Sequence, residues 1–193
     1  MKRILSLCDY TGVWSKPYRD NGYEVIQVDL KYGQDIRLFC YQDDIHGIIA
    51  QPPCTHFAGS GARWWKQKGE KPLLEGLALV DACLRFVAVC NPKWWVLENP
   101  VGRLKRWIGN PKFRYNPCDF ALLADYPQEE AYTKKTCLWG NFIIPSLILL
   151  GQNTYVEPIL GSKMHKLPPS KDRAMLRSIT PQGFARAFFK CNP

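Results

Sequence analysis

The sequence predicts an α/β fold built on a mostly parallel sheet with helices on both faces. Two observations point there. Short β-type apolar runs recur along the first half of the chain and alternate with helical patterns, the sign of strand–helix–strand units. Each run also ends in a polar or turn-forming residue, and parallel sheets gather such residues at one edge. At 193 residues, the chain has the size of one ordinary domain, so a single domain spanning residues 1–193 is expected.

Taken in order, residues 3–7, RILSL, are the first strand, followed by Thr11-Gly12 and a polar–apolar mixture that holds a short helix up to Asn21-Gly22. Residues 23–28, YEVIQV, alternate like a strand and end in Asp29. A third run, residues 46–50, leads into Gln51-Pro52-Pro53-Cys54. Residues 55–72 carry three glycines, Trp64-Trp65 and several cations, and read as a mobile loop. Leu73, Leu74, Leu77, Val80, Leu84 and Val87 recur at spacings of three and four, which predicts a core-facing helix ending near Asn91-Pro92. Trp94-Trp95-Val96-Leu97 is the next strand and ends in Glu98-Asn99-Pro100. The second half is less regular: a basic stretch from Arg103 to Arg114 with Trp107, a strand around Thr136-Cys137-Leu138-Trp139, a loop over residues 151–172, and a last amphipathic helix from Pro181.

Composition narrows the class. The longest apolar stretch, Ile143 to Leu150, is broken by Pro145 and falls short of the roughly 18 residues a membrane span needs, so a soluble, cytoplasmic protein is expected. Eight scattered cysteines without a Cys-x-x-Cys pair, and three histidines not spaced as ligands, predict reduced thiols and no metal site. The formal net charge of +9, from 26 Lys and Arg against 17 Asp and Glu, favours a polyanionic partner, nucleic acid above all.

Cys54 stands on a proline-stiffened turn at a strand end, where a thiol faces the cleft and loses little freedom on binding. Taken alone, it reads more readily as a buried structural cysteine. Glu98 emerges from the apolar run WWVL, where a carboxylate without a partner is costly. A thiolate and a carboxyl group together suit one reaction in particular. Adding a thiolate to carbon 6 of a pyrimidine makes carbon 5 electron-rich, while an acid at N3 accepts the developing charge.

These residues resemble the S-adenosylmethionine-dependent DNA cytosine methyltransferases that act at carbon 5. Pro53-Cys54-Thr55-His56-Phe57-Ala58-Gly59-Ser60-Gly61 is similar to the family's Pro-Cys-x-x-Phe-Ser-x-x-Gly, with Ala58 in place of serine, and Val96-Leu97-Glu98-Asn99-Pro100 is similar to its Glu-Asn-Val or Glu-Asn-Pro segment. The resemblance implies a Rossmann-like methyltransferase domain with Cys54 as covalent nucleophile and Glu98 as the N3 acid. It further implies S-adenosylmethionine as cofactor, held by Asp29 at the ribose and Asp35 at the adenine amino group, with Asp9, Thr11, Gly12, Gln51 and Thr180 around it. The first turn, Leu7-Cys8-Asp9-Tyr10-Thr11-Gly12, keeps only one glycine of the family's Phe-x-Gly-x-Gly. Lys134-Lys135-Thr136 falls where the family carries an arginine-rich stretch, which makes Lys135 a base or phosphate contact, although lysine lacks the planar fork of arginine.

Members of this family place a long target-recognition domain before the final segment, whereas Gly140 to Ile179 here is about 40 residues. So short a segment aims few side chains at groove edges, and weak or short sequence preference follows. The partners implied are DNA, duplex or single-stranded, and a protein that supplies recognition, with the chain itself a monomer. Arg63, Lys66 and Lys68 would meet phosphates and Trp64 and Trp65 would stack on bases, or both tryptophans would pack under the loop. Arg63 and Lys66 are also expected to provide the field that lowers the Cys54 pKa. Methylation of RNA or of a free nucleotide, and an inactive binding subunit of the same fold, remain as alternatives.

Overall fold

Six strands form one sheet in the computed structural model, which describes residues 1–146, 151 and 155–193. They are β1 (Arg3–Leu7), β2 (Glu24–Val28), β3 (Ile45–Ala50), β4 (Trp94–Pro100), β5 (Phe113–Tyr115) and β6 (Thr136–Asn141), in the order β2-β1-β3-β4-β6-β5. Pairing is parallel from β2 through β4 and antiparallel from β4 through β6 to β5. The expected parallel sheet therefore occupies the first half of the chain. The second half adds an antiparallel pair, of which β5 was hidden inside the basic stretch, too short and too charged to read as a strand.

Alternation along the strands divides the core in two. Leu5, Leu7, Ile48, Ala50 and Leu97 pack with Val80, Cys83 and Phe86 of the long helix α3 (Lys71–Cys90) on one face. Ile4, Ile49, Trp94 and Val96 face the other way, against Trp14 and Tyr18 from the region of α1 (Lys16–Asp20) and Phe184 and Phe188 of the last helix (Gln182–Cys191). Strand neighbours thus face opposite layers, as period-two geometry requires. The α3 helix runs 20 residues because Pro72 suits its first turn, its apolar residues recur on one face, and Asn91 closes it in the left-handed region at φ 44°. Among the described residues no helix is long and apolar enough to cross a membrane.

Residues 55–72 are more ordered than a mobile loop. A 3-10 turn over Gly59–Trp64 runs into a short helix, α2 (Trp65–Lys68). The fully buried Phe57 side chain anchors the segment beside α3. The segment after β4 is strapped alongside it: Gly59 N donates to Val101 O at 2.8 Å and Arg103 N to Phe57 O at 2.9 Å. Gly102 sits where any Cβ would collide with the Phe57 carbonyl, so the close approach of the two backbones depends on that glycine. The expected loop over 151–172 lies partly outside the described residues; its described part contains a four-residue helix, Lys163–Lys166, and ends where another, Arg173–Ser178, begins.

Candidate active site

Strand register builds the site. Leu7 is level with Val28 on one side and Ala50 on the other, and Ala50 is level with Leu97. The residues that follow, Cys8, Asp29, Gln51 and Glu98, therefore form a row at the carboxyl edge of the parallel strands, where α/β sheets collect ligands. Glu98 is not at the end of its strand, since β4 continues beside β6 with Glu98 level with Leu138. The carboxyl group is thus fixed by pairing on a sheet interior rather than carried on a turn.

The first turn corrects two expectations. Asp9 is buried, and its carboxylate accepts from Ser6 Oγ at 2.8 Å, Gly12 N at 2.7 Å and Ser15 Oγ at 3.1 Å. Thr11 Oγ1 also turns back to it at 3.5 Å. Both side chains organise the turn internally, because a buried carboxylate must be satisfied by local donors. Gly12 takes φ +64°, and a side chain there would meet Arg19 and Gln27. What the turn offers outward is its backbone.

Asp29 leaves β2 in extended geometry and its Oδ1 accepts from Lys31 N at 2.8 Å. Asp35 is held by Arg37 instead: Arg37 N and Nε donate to Oδ1 at 2.9 Å each, and Nη2 donates to Oδ2 at 2.5 Å. That side-chain contact, with the backbone bond, lowers the Asp35 pKa to about 2. Its carboxylate is already engaged, so the sequence expectation of a free acceptor at Asp35 is not what the structure presents. Gln51 Nε2 donates to the buried Thr180 Oγ1 at 2.8 Å, joining two expected cofactor contacts. Among the described residues Gln51 Oε1 is buried without a partner.

Around Cys54 the parts converge. Pro52 is buried, and its carbonyl accepts from Asn99 Nδ2 at 2.9 Å. This bond ties the cysteine turn to the residue after Glu98. The Cys54 carbonyl accepts from Phe57 N and Ala58 N, both at 2.9 Å, which closes the turn. Cys54 is exposed, yet the surrounding protein desolvates its thiol; that burial, with the neighbouring Glu98, raises its pKa, and Lys134 and Arg177 pull the other way. Glu98 is likewise raised by burial and lowered by Lys134. The field at the thiol therefore comes from Lys134 and Arg177 rather than from Arg63 and Lys66, and the net shift is upward, because burial outweighs both cations.

Lys135 is exposed, whereas Lys134 is half-buried and its Nζ donates to Arg177 O at 2.6 Å. The expected cation is thus one position earlier, as the alternation leading into β6 dictates. Arg177, on the helix Arg173–Ser178, was missed altogether. Only the tertiary return of that helix, to which Lys134 is bonded, brings it to bear on Cys54. Asn99 was visible inside the Glu-Asn-Pro segment, but its role as the tie to Pro52 was not. In the loop, Trp64 is exposed, while Trp65 is half-buried with the Arg103 guanidinium 4.5 Å from its ring centroid. Of the expected stacking pair, Trp65 packs and Trp64 is open. Arg63, Lys66 and Lys68 are exposed.

The arrangement of Lys134 carries a pH prediction. Because the Cys54 pKa is raised, its thiolate grows only as pH climbs past the usual thiol range of about 8.5, and a thiolate-dependent rate should rise with pH through that range. Lys134→Met removes a cation that favours the thiolate. The alkaline limb should then move to higher pH and the rate near neutrality should fall, while Lys135→Met leaves the profile in place. Equal shifts in the two variants would show that Lys134 has no special relation to the thiol.

No protein-family model matches the chain. Its sequence is 28% identical over 156 residues to a "Probable DNA (cytosine-5)-methyltransferase" of Frog virus 3 (isolate Goorha), a similarity that covers 71% of this chain and 69% of that protein. The resemblance read from the segments around Cys54 and Glu98 thus extends over most of the chain. In fold the chain is similar to a prophage-encoded E. coli protein, solved by crystallography and described as a candidate DNA modification methyltransferase, at a TM-score of 0.50 and 14% identity. That match covers 88% of this chain, which spans 56% of the solved chain's length. At that identity the likeness speaks for the α/β fold.

Proposed function

We propose that this relative of a DNA (cytosine-5)-methyltransferase moves a methyl group from S-adenosylmethionine to carbon 5 of cytosine in DNA. The observation that carries the reading is the Asn99–Pro52 bond, which holds an accessible thiol and a desolvated carboxyl group on adjacent strands with one cation, Lys134, acting on both.

In this reading the Cys54 thiolate adds to carbon 6 and forms the C–S bond, while Glu98, kept protonated to higher pH by its burial, donates to N3 as the ring's electron density moves toward carbon 5. A neutral Glu98 also removes the repulsion that would oppose thiolate formation beside it. S-adenosylmethionine, when bound, supplies an electrophilic methyl group for carbon 5. Loss of the carbon 5 proton to solvent then rebuilds the C5–C6 double bond and expels the thiolate, and the N3 proton returns to Glu98. Lys134 steadies whichever of the two acids is charged.

The residues present fit such a cofactor. Gln51 Oε1, buried and unpartnered beside Thr180, is an acceptor awaiting a donor such as an ammonium group. Asp29 stands at the end of β2, on the far side of β1, for a ribose, and the Gly12 turn leaves backbone open to close approach. Asp35 would join only by giving up Arg37. The chain is read as one catalytic domain acting as a monomer, with a reduced recognition segment, residues 140–179, of which part lies outside the described residues. Base preference would then be short or supplied by a partner protein.

The test is transfer of labelled methyl groups from S-adenosylmethionine, with DNA, RNA and dCMP competing. DNA is expected to take the label, and DNA containing 5-fluorocytosine is expected to form a stable adduct, since fluorine at carbon 5 blocks the final proton loss. Label appearing in RNA or dCMP, with none in DNA, would replace the DNA reading.

A further inference from the structure

We propose that the segment Val101 to Trp107, which leads from the end of β4 into the short helix α4 (Lys105–Ile108), is a second DNA-binding arm, in which Trp107 stacks on bases and Lys105 and Arg106 neutralise phosphates. The proposal rests on the DNA reading above and assigns a surface which that reading leaves unused.

Position comes first. The arm begins three residues after Glu98 and lies against the segment after Cys54. Ala58 and Gly102 form an antiparallel bridge, and Arg103 Nε donates to His56 O at 2.8 Å, in addition to the two backbone bonds described above.

Charge comes second. Residues 51–69 and 99–118 contain no aspartate or glutamate. The two stapled segments instead carry Arg63, Lys66, Lys68, Arg103, Lys105 and Arg106. These six cations, none of them in a salt bridge among the described residues, stand against a formal net charge of +9 for the chain. They press on one another: burial and the neighbouring Arg106 both lower the pKa of Arg103. A surface of this kind is relieved by a polyanion, and its attraction works over a Debye length.

Apolar exposure comes third. Trp107 is 43% exposed, Val101 46% and Trp64 47%. The Trp107 ring rests edge-on to the buried Phe57, with centroids 6.3 Å apart and planes at 61°. One edge of the indole is thereby fixed while much of the ring stays open. Phosphates flanked by flat π-faces match cations flanked by open indoles, and among polyanions nucleic acid has that combination. An acidic protein surface would satisfy the charges and leave the indoles wet.

The experiment is anisotropy titration of a dye-labelled DNA duplex carrying a mismatched cytosine, whose base leaves the stack at low cost, with the full chain across a salt series. Each phosphate contact adds about 0.9 to the slope of log affinity against log salt. Lys105→Ala combined with Arg106→Ala should therefore flatten the slope by about 2. Trp107→Ala should leave the slope unchanged and weaken binding roughly 5- to 100-fold, with Trp107→Phe recovering most of it. Thermal midpoints guard against misfolding; should Trp107→Ala lower its midpoint, the exposed Lys105 and Arg106 pair decides. Wild-type slope and affinity in the double variant would overturn the arm, even if the chain methylates DNA. Loss confined to a labelled RNA would overturn it as well. Absence of methyl transfer to DNA by the wild type, with the slope change intact, would instead overturn the catalytic reading and leave the arm standing.

Discussion

Cys54→Ala is expected to abolish methyl transfer, with a fall of at least about 10⁴-fold, the scale seen when an attacking group is removed, and to form no adduct with 5-fluorocytosine DNA. Cys54→Ser should behave the same way, because a hydroxyl at this site lacks both the acidity and the nucleophilicity of a thiol. The loss should be in turnover and not in folding. Cys54 is exposed, and the turn that carries it is closed by its backbone carbonyl, which either variant keeps. Binding of S-adenosylmethionine and the thermal midpoint should therefore stay close to wild type. A variant without the thiol that still labelled DNA would end the covalent reading.

The second large effect is expected at Glu98. Glu98→Gln keeps the shape and can still donate an N–H to N3, but it cannot give up a proton. General acid catalysis contributes about 10²- to 10⁴-fold, and a loss in that range is expected in both adduct formation and methyl transfer. The two rates should fall together, since the acid acts while the C–S bond forms. Removing Glu98 also removes a group that raises the Cys54 pKa, so the thiol of the variant should titrate at lower pH than in the wild type. A rate loss below about fivefold would mean that N3 is served by another donor. Alkylation kinetics of Cys54 against pH would read the thiol directly.

Much of this was legible in the sequence, and the reasons are local. The β1, β2, β3 and β4 strands are short apolar runs closed by turn residues, and α3 repeats its apolar positions at helical spacing, so period and punctuation disclosed them. Cys54 and Glu98 stood out because a proline-stiffened thiol and a carboxylate leaving an apolar strand are each locally unusual. What sequence could not disclose was pairing across distance. Arg177 reaches the site only because its helix folds back, and Lys134 rather than Lys135 faces inward because the turn into β6 sets the phase. Asp9 and Asp35 have the right residue type at the right place, but their partners, Ser6, Gly12 and Ser15 for one and Arg37 for the other, show only in three dimensions. The β5 strand, three residues with an exposed arginine at its centre, owes its existence to β6 beside it.

The narrow backbone crossing at Gly102 and Phe57 has a consequence for association itself. In many proteins a loop beside the reactive group is ordered only when substrate arrives, and fixing each residue then costs about 1–2 kcal/mol of chain entropy. Here the chain has already met that cost during folding, through its own cross-links to Val101 and Arg103. Favourable contacts made by the rim are therefore expressed as affinity rather than spent on ordering the protein. Widening the crossing, as any side chain at position 102 would do, should slow productive encounter even though position 102 itself bears no group that could touch a base.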